Sequence, residues 1–164
     1  KLFNLMKLFR EPDSLKTILL SGVASAVAIM LLMVISLFSG HQLIMGSFGA
    51  SIFLLLAVPK SEFSKVKNLL GGHVLASLIG LTCLQFFSFE FWALPISLFL
   101  TVIGMQIMEV SHPPAASNPI IIFLSSPDWI FIFMPTLIGA VTLALFAFFY
   151  GKIVLRVKVT SGDN

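Results

Sequence analysis

No charged residue interrupts positions 17–59, 68–89, 91–108, 110–127 or 129–151, and a helix needs only about 20 predominantly apolar residues to cross a bilayer. In hydrocarbon every backbone N–H and C=O must find a partner within the protein, which leaves helices and closed barrels as spanning structures. Uncharged runs this long read as helices, so the chain is expected to be all-α, a polytopic transmembrane helix bundle. Only 10% of residues are charged, against about 25% in a soluble domain. The 164 residues allow one compact set of spans.

The ten Lys and Arg fall in three short segments, at 1–16, 60–67 and 152–158. Each borders an apolar run, so the net charge of +3 reports topology rather than a nucleic-acid partner. If the apolar runs at 42–58 and 110–127 both cross, all three basic segments fall on one side. The other side then shows only His41, Glu90 and Asp128 as ionisable groups. The positive-inside rule favours that count: six crossings, both termini cytoplasmic, in a bacterial inner membrane. The expected organisation is a cytoplasmic amphipathic approach over 1–16, one transmembrane domain over 17–151, and a cytoplasmic tail over 152–164. The first run is too long, and lacks the small-residue cleavage pattern, for a cleavable signal peptide.

Two stretches break the helical pattern. His112-Pro113-Pro114-Ala115-Ala116-Ser117-Asn118-Pro119 carries three prolines in eight residues, tolerable at membrane depth only where the backbone is buried in protein or lines a cavity. Gly46-Ser47-Phe48-Gly49-Ala50-Ser51 sits in the middle of the second run, where glycines weaken a helix and serines can cap a new one. Sliding the chain by 68 residues aligns Pro59 with Pro127, Leu69 with Leu137, Gly71 with Gly139, and Leu75-Ala76 with Leu143-Ala144. It also sets the first break against the second. The expectation is two inverted repeats of three segments each, over 17–87 and 88–151, with the middle segment of each broken near the midplane.

In transporters of that plan, half-helix N-termini point at an anion near the bilayer centre. Entering from opposite sides, the two breaks can meet there, offering backbone N–H groups and the positive ends of helix dipoles. The expected substrate-binding set is Gly46, Ser47, Gly49, Ser51, His112, Pro113, Ala115, Ser117 and Asn118. No Lys or Arg is expected at that depth, which suits a small monovalent anion. Glu109 and His112, three apart, would share a helix face if the helix lasts that far; with His73 they form a candidate proton-coupling set. The bland alternative keeps Gly46 to Ser51 as a close helix-packing face and His-Pro-Pro as a surface turn, in a non-transporting scaffold or sensor.

Other chemistries lack their residues. Cys83 is the sole cysteine, so no thiol cluster can hold a metal. The spacing of Glu109 and His112 also occurs in carboxylate metal bundles, but there is no second intramembrane carboxylate, and no metal or cofactor is expected. Neither a nucleophile elbow nor a phosphate-binding loop is present, so the chain is not expected to be an enzyme. A thin bundle of six short spans is compatible with a homo-oligomer.

Gly46-Ser47-Phe48-Gly49-Ala50-Ser51, Asn68-Leu69-Leu70-Gly71-Gly72-His73 and His112-Pro113-Pro114-Ala115-Ala116, in that order and spacing, resemble the HPP family of integral membrane proteins over residues 22–150. That family is usually described with four spanning helices, and members in cyanobacteria and chloroplasts are associated with nitrite transport. The resemblance implies a small-anion transporter, nitrite being the leading substrate. Ser117-Asn118-Pro119 departs from the small, Gly- and Thr-containing continuation expected of the family.

Overall fold

The computed structural model describes residues 15–161, with side chains through 153. The amphipathic approach and most of the C-terminal tail lie outside the described residues. Among the described residues six α-helices form the bundle: α1 (Leu15–Ser39), α2 (Gly46–Ala57), α3 (Val66–Phe87), α4 (Ala93–Ile107), α5 (Asn118–Ser125) and α6 (Ile138–Ser161). Short helical turns lie between them at Glu62–Ser64, Pro113–Ser117, Trp129–Ile132 and Phe133–Leu137. Among the described residues there is no strand.

Among the described residues three stretches are long and apolar enough to cross a membrane: Leu15–Ser39, Val66–Phe87 and Trp129–Ile153. Their outward faces are apolar, with Leu19, Val23, Leu37, Phe86 and Leu145 all exposed, as a lipid-facing surface requires. This is an integral membrane protein.

Helix α3 is the central post. It packs against α4, α5, the Pro113–Ser117 turn and the segment leading into α6. At 1.5 Å per residue its 22 residues cover about 33 Å, the full hydrocarbon thickness. Two of its glycines admit the proline-rich segment. A Cβ on Gly72 would sit 2.8 Å from His112 Cβ and 3.0 Å from the Val110 carbonyl oxygen; one on Gly80 would sit 2.8 Å from Ile122 Cδ1 and 3.1 Å from Pro119 Cα. Because those neighbours include backbone, a side chain could enter only by prising the segments apart.

The same contacts give direction. Gly71 meets Val110, Gly72 meets His112, and Gly80 meets Ile122; further along, Trp129 Nε1 donates to Gln85 Oε1 at 2.8 Å. Residues 110–129 therefore climb beside α3 in the same sense, over about 21 Å of its rise.

The second apolar run differs from the expected broken helix. It is non-helical at 42–45 and becomes helical only at Gly46. No side chain caps that start. Backbone outside a helix needs other partners in a membrane, and here Leu43 N donates to Ser36 Oγ at 2.9 Å while Leu43 and Met45 are buried. The 12 residues of α2 cover about 18 Å, and the four before them add up to about 13 Å if extended.

Helix α4 stops at Ile107, short of Glu109. Glu109 adopts φ 54°, with Glu109 N bonded to Gln106 O and Val110 N to Met105 O. That is a Schellman closure with a glutamate at the position usually held by glycine. Before α6 the chain leaves helical geometry at Met134, beside Pro135, whose ring cannot continue a helix.

Candidate functional site

Six polar side chains, each with no measurable exposure, join four parts of the bundle: Ser51 of α2, His73 and Ser77 of α3, His112 and Asn118 of the proline-rich segment, and Thr136 before α6. Ser51 Oγ lies 2.9 Å from His73 Nε2 and 2.9 Å from His112 Nε2. Asn118 Nδ2 lies 3.2 Å from His73 Nδ1, 3.3 Å from His73 O and 2.9 Å from Ser77 Oγ. Ser77 Oγ in turn lies 2.9 Å from Thr136 Oγ1. The imidazole centroids are 5.2 Å apart, and Phe48 sets its ring edge-on to His73 at 5.1 Å.

Local structure explains why these groups meet. Asn68 Nδ2 donates to Glu62 O, and Ser64 Oγ donates to Leu54 O and Val58 O. These bonds fasten the 60–65 loop so that the Phe63 carbonyl oxygen stands 2.7 Å from His112 Nδ1. Gly71 and Gly72 then let His112 approach α3, one residue before His73. Asn68 to His73 thus works as a unit: a loop anchor, two seats and an imidazole.

The bonds assign the protons. A carbonyl only accepts, so His112 carries hydrogen on Nδ1. The amide nitrogen of Asn118 faces the His73 carbonyl, so it donates to His73 Nδ1, and His73 carries hydrogen on Nε2. Ser51 accepts from His73. Its own hydrogen has two acceptors within reach, His112 Nε2 and, at 3.0 Å, the Ser47 carbonyl oxygen.

Two buried polar atoms at this level have no partner: Ser47 Oγ and Asn118 Oδ1. Ser47 is one turn above Ser51 on the same face of α2, and Asn118 bridges one turn of α3. Taking α3 from Val66, His73 lies about 10 Å and Ser77 about 16 Å along a rise of about 33 Å. The constellation therefore runs from about a third of the way along α3 to its middle.

Several expected site residues fall elsewhere. Gly46 and Gly49 are exposed on α2, with open space where a Cβ would be. Pro113 is exposed and shares an apolar surface groove with Ala50 and Phe53. Ala115 is buried against Gly72, and Ser117 donates to its own turn at Pro114 O. The amides expected to hold an anion are largely committed: Pro113 and Pro114 have none, Ala115 N bonds His112 O, and Phe48 N bonds Met45 O. Glu109 does not share a helix face with His112, because α4 has ended. It is exposed and pairs with Lys67 at 3.8 Å. Sequence reading missed Ser77 and Thr136; the signal for Ser77 was its place four residues after His73, on the same face of a helix. Among the described residues no three His, Cys, Asp or Glu side chains converge.

The model of the HPP transmembrane region matches residues 10–159, nearly the whole chain. The protein is a member of the HPP family. A transmembrane protein of Dictyostelium discoideum is 31% identical over 114 residues, covering 65% of this chain and 40% of its own length. A second transmembrane protein of that organism is 28% identical over 112 residues, covering 63% of this chain and 36% of its own. This HPP chain thus spans about two fifths of the length of the curated relatives it matches. No solved structure matches it. The histidine of the family's His-Pro-Pro motif is the one bonded to Ser51 and to the Phe63 carbonyl.

Proposed function

We propose that this HPP-family protein transports a small monovalent anion, with nitrite the leading substrate, through the buried polar constellation centred on Ser51, His73, His112 and Asn118. The observation that carries the reading is that six fully buried polar side chains are concentrated in one continuous network of an apolar bundle. Polar groups inside a membrane are costly and mark pathways or binding sites. Ser47 Oγ and Asn118 Oδ1, buried and unbonded, are the groups left to meet a substrate. Ser47, Ser51, His112 and Asn118 thereby keep the roles expected of them, whereas Gly46, Gly49, Pro113, Ala115 and Ser117 shape the segments around the site.

Six crossings in two inverted repeats of three segments fit the packing. The fifth segment lies in a glycine seat of the third, at Gly71 and Gly72; the second lies against Gly139 of the sixth, where a Cβ would run into the Phe48 ring. Helix α1 touches α2 and α6, as α4 touches α5 and α3. A two-fold exchange of halves interconverts these pairings. In this reading both termini and the 60–67 loop face the cytoplasm of a bacterial inner membrane, the exposed face of α1 meets lipid or a second copy, and the protein works without cofactor or catalysis.

The internal bonding of the network favours the rival reading, a scaffold in which these groups only pack helices. Proteoliposome uptake separates the two. Transport predicts protein-dependent entry of nitrite, lost in Asn118→Leu and Ser47→Leu variants that still fold. Wild-type flux no greater than that of protein-free vesicles for nitrite, nitrate and formate would leave the scaffold.

A further inference from the structure

We infer that the anion crosses together with one proton carried along the His73–Ser51–His112 chain, so that the transported pair is electrically neutral. The inference rests on the anion-transport reading and adds its coupling.

The geometry is a directed wire. Asn118 Nδ2–H points to His73 Nδ1, His73 Nε2–H to Ser51 Oγ, Ser51 O–H to His112 Nε2, and His112 Nδ1–H to the Phe63 carbonyl, over distances of 3.2, 2.9, 2.9 and 2.7 Å. One end lies among the buried groups at membrane depth. The other lies at the 60–67 loop, where Phe63 is exposed.

A proton binding His73 Nδ1 pushes the Nε2 hydrogen onto Ser51 Oγ, and the Ser51 hydrogen passes to His112 Nε2. His112 then releases its Nδ1 hydrogen past the Phe63 carbonyl to water at the exposed loop, which takes it up as hydronium. Within the protein three N–H or O–H bonds form and three break, so one proton enters and one leaves. Asn118 must first free the His73 nitrogen, and it can: that is its second-longest bond in the network, and the His73 carbonyl and Ser77 hydroxyl remain as partners. While His112 is cationic, Ser51 keeps its bonding by turning its hydrogen to the Ser47 carbonyl, already 3.0 Å away. Rotation of these groups resets the chain.

Charge supplies the reason for coupling. Among the described residues, α2 and α5 bring no titratable group to the site, and the segment before α6 brings Thr136. The 60–65 loop brings Lys60, exposed, and Glu62 and Lys65, paired with each other and exposed; α3 brings His73, Lys67 and Cys83; after α4 comes Glu109, paired with Lys67 at the exposed end. Tyr150 and Lys152 lie about 18 and 21 Å beyond the start of α6. An anion at the site therefore has no fixed cation beside it. The two imidazoles are what can supply the matching charge, and an unmatched charge at membrane depth is costly.

Proteoliposomes containing the full chain test this. Initial nitrite uptake, after subtraction of protein-free vesicles, is measured under an inside-alkaline pH gradient or under a potassium diffusion potential set with valinomycin. Coupling predicts that the pH gradient accelerates uptake, that the potential leaves the rate unchanged, and that an entrapped dye reports one proton per nitrite. Ser51→Ala should lower the pH-driven rate about tenfold, the worth of one lost buried hydrogen bond, while Ser51→Thr restores it. If a variant fails to fold, the wild-type comparison of pH gradient and potential still decides. Protein-dependent uptake that follows the potential and ignores the pH gradient overturns the coupling and leaves anion transport standing. No protein-dependent uptake of nitrite, nitrate or formate removes both.

Discussion

The two interruptions of the helical pattern, at Gly46 to Ser51 and at His112 to Asn118, look like equivalents in sequence and behave differently in the fold. In the first, the chain arrives non-helical, the helix starts at Gly46, and the two glycines face outward with space around them. Its contribution to the candidate site is two hydroxyls one turn apart, Ser47 and Ser51. In the second, two prolines start a tight turn, and the groups on either side of it, His112 and Asn118, point inward and supply an imidazole and an amide. The glycines that accommodate this second break are not in it; they are on α3. A helix break thus does not need to expose its own amides to build a polar site. It can instead bend the chain so that flanking side chains converge.

Substitutions can break that contrast. The largest effect is expected at Gly72. Gly72→Val would drive atoms into His112 and the Val110 carbonyl, so the folded yield should collapse, or stability fall by at least the 1–3 kcal/mol or so of an overpacked core. Gly46→Ala, with nothing within 4 Å, should be neutral or raise stability by up to about 1 kcal/mol. Thermal unfolding in detergent reads both, and equal losses would restore the equivalence of the two breaks.

Next comes Asn118→Leu, which removes the donor to His73 and Ser77. Leaving those buried groups unbonded should cost about 1–3 kcal/mol, and nitrite flux should fall with it; retained flux would move the site away from the second break. A double-mutant cycle on Ser51→Ala and His112→Phe should give a coupling of about 0.6–1.7 kcal/mol, the range for hydrogen bonds between membrane helices. Additivity would mean that the two breaks do not communicate through Ser51. The smallest effect is expected at Glu109. Glu109→Gln removes one member of an exposed ion pair, so stability should shift by less than about 0.5 kcal/mol and flux should hold. A large loss of flux would return Glu109 to the relay.

How much of this was legible in the sequence differs by level. The uncharged runs announced an all-helical membrane bundle because a bilayer offers the backbone no partner, a constraint composition alone conveys. Ser51, His112 and Asn118 were legible as candidates, and the structure buries all three in one polar network; polar groups beside helix breakers are rare in hydrocarbon. Glu109 misled because its spacing from His112 assumes a helix, and a left-handed residue ended that helix where no glycine marked the place. Ser77 and Thr136 were hidden for a simpler reason. A hydroxyl in a membrane helix bonds its own backbone as readily as a neighbour, so residue type does not say which it will do.

What the sequence determined by itself is therefore the membrane class, the three-motif signature and the types of group available. Tertiary structure alone decided which atoms meet. His73, His112 and Ser51 are 22 and 61 positions apart from Ser51 to each histidine, and their contact depends on Gly72 admitting the proline-rich segment and on the 60–65 loop aiming a carbonyl at His112. Those are consequences of how close two backbones can come, and spacing along one chain does not carry that information.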